Sequence, residues 1–364
     1  MTRQEQETAV KAAVSLGEAF RRGRNDERLG RAMDEAARQN PWFTEESLQS
    51  AISEWGRLLN EEEINRWVSA YALPREKKDV ALVLAGNIPL VGLHDILSVY
   101  LSGHRALIKP SSSDTALINY AAEHLMTANP AMAANIEITA VPAKGADAVI
   151  ATGSDNTARY FEQYFKDIPA LIRRSRASVA VVSEETTDED LSLLAGDIMK
   201  YFGMGCRSIS LVFLPAGFDI RRLIRALEPY HGYISHHKYA NNYDYQRAMY
   251  SMTGGHGVYD TGFLILAPGD TLRPPLGALS YEYYDNPERP ARFVMENASG
   301  IQCVAWLSRR RAFRHVPESG ADRLCRRRGY HGIPFVFGLK YRRPTHLKTS
   351  PRPKKTSPFL SEML

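Results

Sequence analysis

Cys206 stands in KYFGMGCRSISLVFLP, where a helical pattern gives way through Gly-Met-Gly to a β-branched strand pattern. A thiol on a glycine-rich corner ahead of a strand is accessible yet rigidly held. Such a corner suits a nucleophile, because its backbone N–H groups lower the thiol pKa and can receive an oxyanion. A lone cysteine at a turn also reads as a small buried apolar residue, so the choice rests on three upstream segments. In AGNIPLVG (85 to 92), Asn87 follows Gly86 at a strand end and can offer its side-chain amide, although an Asn before Pro89 also suits a plain turn. In LIKPSSSD (107 to 114), Lys109 ends a strand where an ammonium reaches ribose hydroxyls or phosphate; Ser111 and Ser112 follow, and Ser113 or Asp114 fits a helix N-cap. In ATGSDNTARY (151 to 160), Gly153 and Ser154 precede a helix whose first N–H groups can face a phosphate, and a generic strand-to-helix turn is the alternative.

These segments are positioned by recognisable elements. Residues 1 to 75 carry apolar positions at spacings of three and four, as in VKAAVSLGEAF and LQSAISEWGRLL, and predict a helical lead-in. Thr44 in NPWFTEES is the expected cap of one of these helices, with Phe43 beside it as a hydrophobic staple. From Val80, short apolar runs alternate with helical patterns: VALVLAG, RALIKP, EITAVPA, DAVIATG and SVAVVS. Continuous apolar strands separated by helices predict a parallel sheet covered on both faces, an α/β domain over 76–200 of the nucleotide-binding kind. After Cys206 a second α/β set follows (SISLVFLP, FLILAP, GALSYEYY, IQCVAW), giving a catalytic domain over 201–317 with the boundary near Lys200. Cys303, within IQCVAW, reads as inert core. Arg207, His236, His237 and His256 are candidates by residue type alone.

At 364 residues and 44% hydrophobic, the chain accommodates two domains with real cores. The longest apolar runs fall short of a membrane span and the polar N-terminus is unlike a signal peptide. Three widely spaced cysteines predict neither a disulfide framework nor a metal site, and so a reducing cytoplasm. The net charge of +5 suggests nucleic acid until it is located: residues 309–364 hold 15 of the 46 basic and 3 of the 41 acidic residues, leaving the body at −7. A nucleic-acid role is therefore not expected of the body.

Taken together, the four segments resemble the aldehyde dehydrogenase superfamily, and within it the LuxC-type acyl-CoA reductase branch, over roughly residues 40 to 317. The resemblance implies an aldehyde dehydrogenase-like fold: a Rossmann-like cofactor domain beside a catalytic α/β domain. It also implies roles. Cys206 would attack an acyl thioester, Asn87 and the Cys206 backbone N–H would stabilise the oxyanion, and Lys109, Ser111, Ser112, Gly153 and Ser154 would hold the cofactor. Many NAD-preferring relatives carry an acid at the position of Ser112; a hydroxyl does not repel a 2′-phosphate, which points to NADPH. Aldehyde-oxidising relatives carry a water-activating glutamate where this chain has Leu171, Ile172 and Arg173. Its absence favours transfer involving a thiol carrier, so the expected reaction is NADPH-dependent reduction of an acyl-CoA, or of an acylated carrier protein, to an aldehyde. A CoA-acylating aldehyde dehydrogenase is the alternative within enzymes. Self-association is common in the superfamily, so a homo-oligomer is an expectation.

The segment 318–364 is rich in Arg, Pro and Lys and breaks the pattern. One reading makes it a nucleic-acid-binding arm on a catalytically inactive protein. A frameshift fits better: LCRRRGYHGIPF can be back-translated and read one nucleotide later as YADGVDTMEF, similar to the branch's C-terminal motif, and HVP at 315 to 317 resembles the start of its VPFG segment.

Overall fold

Capping chemistry sets the first helices. The computed structural model describes residues 1–307 apart from 72, 75, 142–144 and 254, so the expectations for the basic tail and its reading frame lie outside the described residues. Helices α1 (Arg3–Arg22), α2 (Glu27–Gln39), α3 (Glu45–Leu58) and α4 (Glu61–Val68) each begin at a side-chain oxygen that satisfies a first-turn N–H. Thr2 accepts from Glu5, Asp26 from Leu29, Thr44 from Ser47 and Asn60 from Glu63. Thr44 is the expected cap, and Phe43 beside it is buried. α1 packs on α3 and on α6 (Thr115–Ala128).

The chain divides into two units. The first, Met1–Ser175, holds these helices and a five-stranded sheet. Its strands are β1 (Asp79–Val83), β2 (Arg105–Lys109), β3 (Ile136–Ile138), β4 (Ala148–Thr152) and β5 (Ala170–Arg173), all parallel in the order β3-β2-β1-β4-β5. Alternation sends Ala81, Val83, Leu107, Val149 and Ala151 to one face. There they meet Phe161 of α7 (Asp155–Tyr164) and Phe165 beyond it. Val80, Leu82, Ala106, Ile108 and Ile150 are buried too, on the face opposite by strand alternation. Burial on both faces explains the near-continuous apolar strands.

The second unit begins at Arg176. Its six-stranded sheet has the order β11-β6-β7-β10-β9-β8, with strands β6 (Ala177–Val182), β7 (Ile209–Pro215), β8 (Tyr259–Asp260), β9 (Ile265–Pro268), β10 (Ala278–Tyr284) and β11 (Ile301–Leu307). All neighbours are parallel except β8 with β9. Helices α8 (Asp188–Met199), α9 (Ile220–Leu227), α10 (His237–Thr253) and α11 (Glu288–Glu296) complete it. Val179, Val181, Leu211, Phe213, Phe293 and Ile301 form its core. The boundary anticipated near Lys200 is displaced to Ser175, because β6 hydrogen-bonds to β7 and β11 and so belongs to this sheet.

Candidate active site

In the first unit, the chain steps outward from β1 to β2 and β3, then returns to β4 on the other side of β1. That reversal is a topological switch point, and ligands of open parallel sheets bind outside the carboxyl ends of the strands there. The candidate residues of this unit follow three adjacent strands: Asn87 lies four residues beyond β1, Lys109 closes β2, and Gly153 and Ser154 follow β4. Lys109 is paired in register with Val83, itself opposite Ala151. Asn87, Ser112 and Ser154 are exposed, whereas Lys109 and Ser111 are half-buried.

Local packing accounts for part of each motif. A Cβ at Gly86 would lie 2.6 Å from Ser111 Oγ, so only glycine lets the end of β1 lie against the serine loop. Ser111 organises that loop: its Oγ accepts from Ser113 N, and its carbonyl accepts from Asp114 N and Thr115 Oγ1. Asn40 donates through Nδ2 to the carbonyls of Ser113 at 3.3 Å and Gly86 at 3.5 Å. Ser154 caps α7 by accepting from Thr157 N at 3.3 Å, and a Cβ at Gly153 would meet Thr157 at 3.0 Å. Those two residues thus serve strand-to-helix packing whatever else they contact. For a nicotinamide nucleotide the donor set fits in its polar groups, a lysine at a strand's carboxyl end and exposed hydroxyls, whereas the space beside Gly86 and Gly153 is taken up by Ser111 and Thr157.

Two features here exceed the sequence reading. Asp114 occupies the cap position of α6 without a capping bond; its Oδ2 accepts instead from Leu90 N at 2.7 Å. Leu90, a non-glycine residue at φ 57°, is left-handed. Burial pushes the Asp114 carboxyl well above the usual carboxylate range, and the Leu90 N–H offsets only part of this. At the end of β5, Arg173 donates to both Asp95 oxygens at 2.6 Å. Asp95 lies on α5 (Leu93–Leu101). Burial acts to raise its pKa, but Arg173 and His94 outweigh it and hold the carboxyl at about 2.

In the second unit, Cys206 lies at the amino end of β7, half-buried at the tip of a turn closed by Ser208 N donating to Gly205 O at 3.0 Å. Ser178 of β6 donates through Oγ to the Cys206 carbonyl at 3.0 Å, which fixes the turn from below. Immediately upstream, Tyr201 (φ 54°), Phe202 (φ 58°) and Gly203 (φ 73°) are left-handed in succession. For the two aromatic residues this conformation costs about 1–3 kcal/mol each and persists only where the surroundings over-determine it. The Phe202 ring is held against Tyr233, His236 and Tyr239 with centroids at 4.6, 4.8 and 5.6 Å. His236 therefore serves as packing, and its Nδ1 accepts from Tyr239 N. Cys303 departs from the core reading: a register shift in β11 between Ile301 and Val304 takes it out of alternation and leaves it half-buried.

The acyl-CoA reductase (LuxC) family model matches residues 42–229, which include Asn87, Lys109, Gly153 and Cys206. The chain belongs to the LuxC acyl-CoA reductase family. Among curated proteins, this LuxC-family chain is 28% identical over 200 residues to long-chain acyl-protein thioester reductase 2 of Photobacterium leiognathi; the match covers 50% of the chain and 41% of that reductase. The chain thus spans about two fifths of its curated relative. Among solved structures it resembles an NAD-dependent benzaldehyde dehydrogenase from Corynebacterium glutamicum (TM-score 0.62, 12% identity, 84% of this chain and 76% of that one). It also resembles the NAD+ complex of an aldehyde dehydrogenase from Bacillus cereus (TM-score 0.58, 13% identity, 85% and 72%). The fold of this LuxC-family chain is therefore aldehyde dehydrogenase-like, as the four segments implied.

Proposed function

We propose that the chain reduces an acyl-CoA, or an acyl group on a carrier protein, to an aldehyde with NADPH in the reducing cytoplasm. The observation that carries this reading is the strained turn holding Cys206, in a chain of the acyl-CoA reductase family. The Cys206 thiolate adds to the thioester carbonyl; the bond to the CoA sulfur breaks, and CoA leaves as a thiolate that takes up a proton. Asn87 and the Cys206 backbone N–H stabilise the oxyanion, a donor of this kind being worth about 10²- to 10³-fold in rate. A bound reduced nicotinamide supplies the hydride. The Cys206 acyl group would then become a hemithioacetal oxyanion, which collapses by breaking its C–S bond, releasing the aldehyde and restoring the Cys206 thiolate. Water is a poor competitor for the acyl group in this reading, because the positions at which aldehyde-oxidising relatives carry a water-activating glutamate are Leu171, Ile172 and Arg173, and Arg173 is committed to Asp95. Asp95 itself, held at about 2, is too weak a base to activate water. Lys109, Ser111, Ser112, Gly153 and Ser154 hold the nucleotide in this reading, and the exposed Ser112 hydroxyl tolerates a 2′-phosphate.

Intact-protein mass spectrometry after incubation with butanoyl-, octanoyl- and hexadecanoyl-CoA tests the reading. The expected result is one acyl mass mapping to Cys206, absent in Cys206→Ser and discharged as aldehyde faster by NADPH than by NADH. No adduct with any of the three overturns the acyl-enzyme; faster discharge by NADH overturns the cofactor assignment alone.

A further inference from the structure

Asp114 is fully enclosed, at 0% exposure, and its two carboxylate oxygens are treated differently. Oδ2 accepts from Leu90 N at 2.7 Å, while Oδ1 has no hydrogen-bond partner. An acid at a helix N-cap ordinarily bonds into its own first turn. This one leaves α6 uncapped by its side chain and reaches a residue 24 positions earlier in the chain. That residue, Leu90, is left-handed and buried, and it lies three positions beyond Asn87. A leucine keeps such a conformation only under external constraint. Two further contacts tie the same segment to the same loop: Gly86 against Ser111, and Asn40 Nδ2 bridging the carbonyls of Gly86 and Ser113. Residues 86 to 90 are thus fixed at both ends by the loop of residues 111 to 114, with Asn87 on the exposed bend.

We infer that Asp114 is a positioning residue for the Asn87 amide, acting through the left-handed turn at Leu90. The inference rests on the reading of Asn87 as the oxyanion donor. Loss of the Asp114 acceptor frees the Leu90 N–H, lets the turn relax and moves the amide. A displacement of about 1 Å at a positioned group can cost on the order of 10²-fold in rate. Asp114→Asn keeps an acceptor oxygen for Leu90, and burial already disfavours the ionised acid, so the amide is a close mimic.

The test uses full-length wild type, Asn87→Ala, Asp114→Leu, Asp114→Ala, Asp114→Asn and the double variant Asn87→Ala/Asp114→Leu. Two rates are measured on each: acylation of Cys206 by the three acyl-CoAs, and alkylation of Cys206 by iodoacetamide, which develops no oxyanion. The expected result is that Asp114→Leu and Asp114→Ala acylate about ten- to a hundredfold more slowly with alkylation unchanged. Asp114→Asn should stay within about threefold of wild type, and the double variant should be no slower than Asn87→Ala, because the two residues act as one unit. Wild-type acylation in both Asp114→Leu and Asp114→Ala, beside a slow Asn87→Ala, overturns this inference and spares the Asn87 reading. Multiplicative losses in the double variant, or acylation and alkylation falling together, also overturn it. An unimpaired Asn87→Ala overturns the donor reading and this inference with it.

Discussion

Asp197, near the end of α8, is 8% exposed, and its surroundings push its pKa from an ordinary 3.8 up to about 7. Burial is the main cause; Lys200 opposes it and Cys303 adds to it. The folded chain keeps this proton to about pH 7, whereas the unfolded chain releases it near pH 4. The stability this group contributes is therefore complete below pH 4 and declines through pH 7, by up to about 1.4 kcal/mol per pH unit. Asp197→Asn, neutral throughout, should melt close to wild type at pH 4 and clearly above it at pH 8. An equal difference in Tm at both pH values would count against the buried acid. At this scale the local geometry was legible, Cys206 after Gly-Met-Gly lying on a turn ahead of β7 and Asn87 after Gly86 on an exposed bend beyond β1. Asp114 read only as a cap, because its partner is distant in the chain and left-handed, and a left-handed leucine leaves no trace in composition. The Tyr201 and Phe202 turn was hidden for the same reason.

Among the elements, α5 and β5 are joined by the Asp95 and Arg173 pair, 6% and 14% exposed at their side chains. Removing one partner of such a pair leaves a buried charge uncompensated and costs about 3–5 kcal/mol, whereas replacing both with apolar residues is often neutral. Arg173→Met should lower the urea midpoint by that equivalent, and Asp95→Leu/Arg173→Met should recover most of it. A single variant within about half a kcal/mol of wild type would show that the pair is not holding these elements. Most strands of both sheets were readable because burial on two faces demands near-continuous apolar runs, but the expected EITAVPA strand shortens to β3, in which Glu137 and Ile138 are exposed. β5 was not readable, being four half-buried residues that end in arginine, and neither was two-residue β8. The sheet to which β6 belongs was also hidden. Its apolar run looks like those before it, and membership is set by pairing with β11 at Ile301–Leu307.

Across the whole chain, that pairing has a cost in time. Parallel strands so far apart in the chain pair slowly, because closure entropy precedes the contacts that offset it. The left-handed turn before Cys206 depends in addition on Tyr233, His236 and Tyr239 closing over Phe202. After dilution from denaturant, far-ultraviolet circular dichroism should recover before the ability to accept an acyl group from acyl-CoA. Simultaneous recovery of the two would mean that the turn forms with the helices. Phe202→Ala should widen the lag, since the strain would then have less to hold it. In the proposed reading, acylation at Cys206 is then a late event in the life of each molecule: a newly made chain with its secondary structure in place would accept no acyl group until three rings have settled on one.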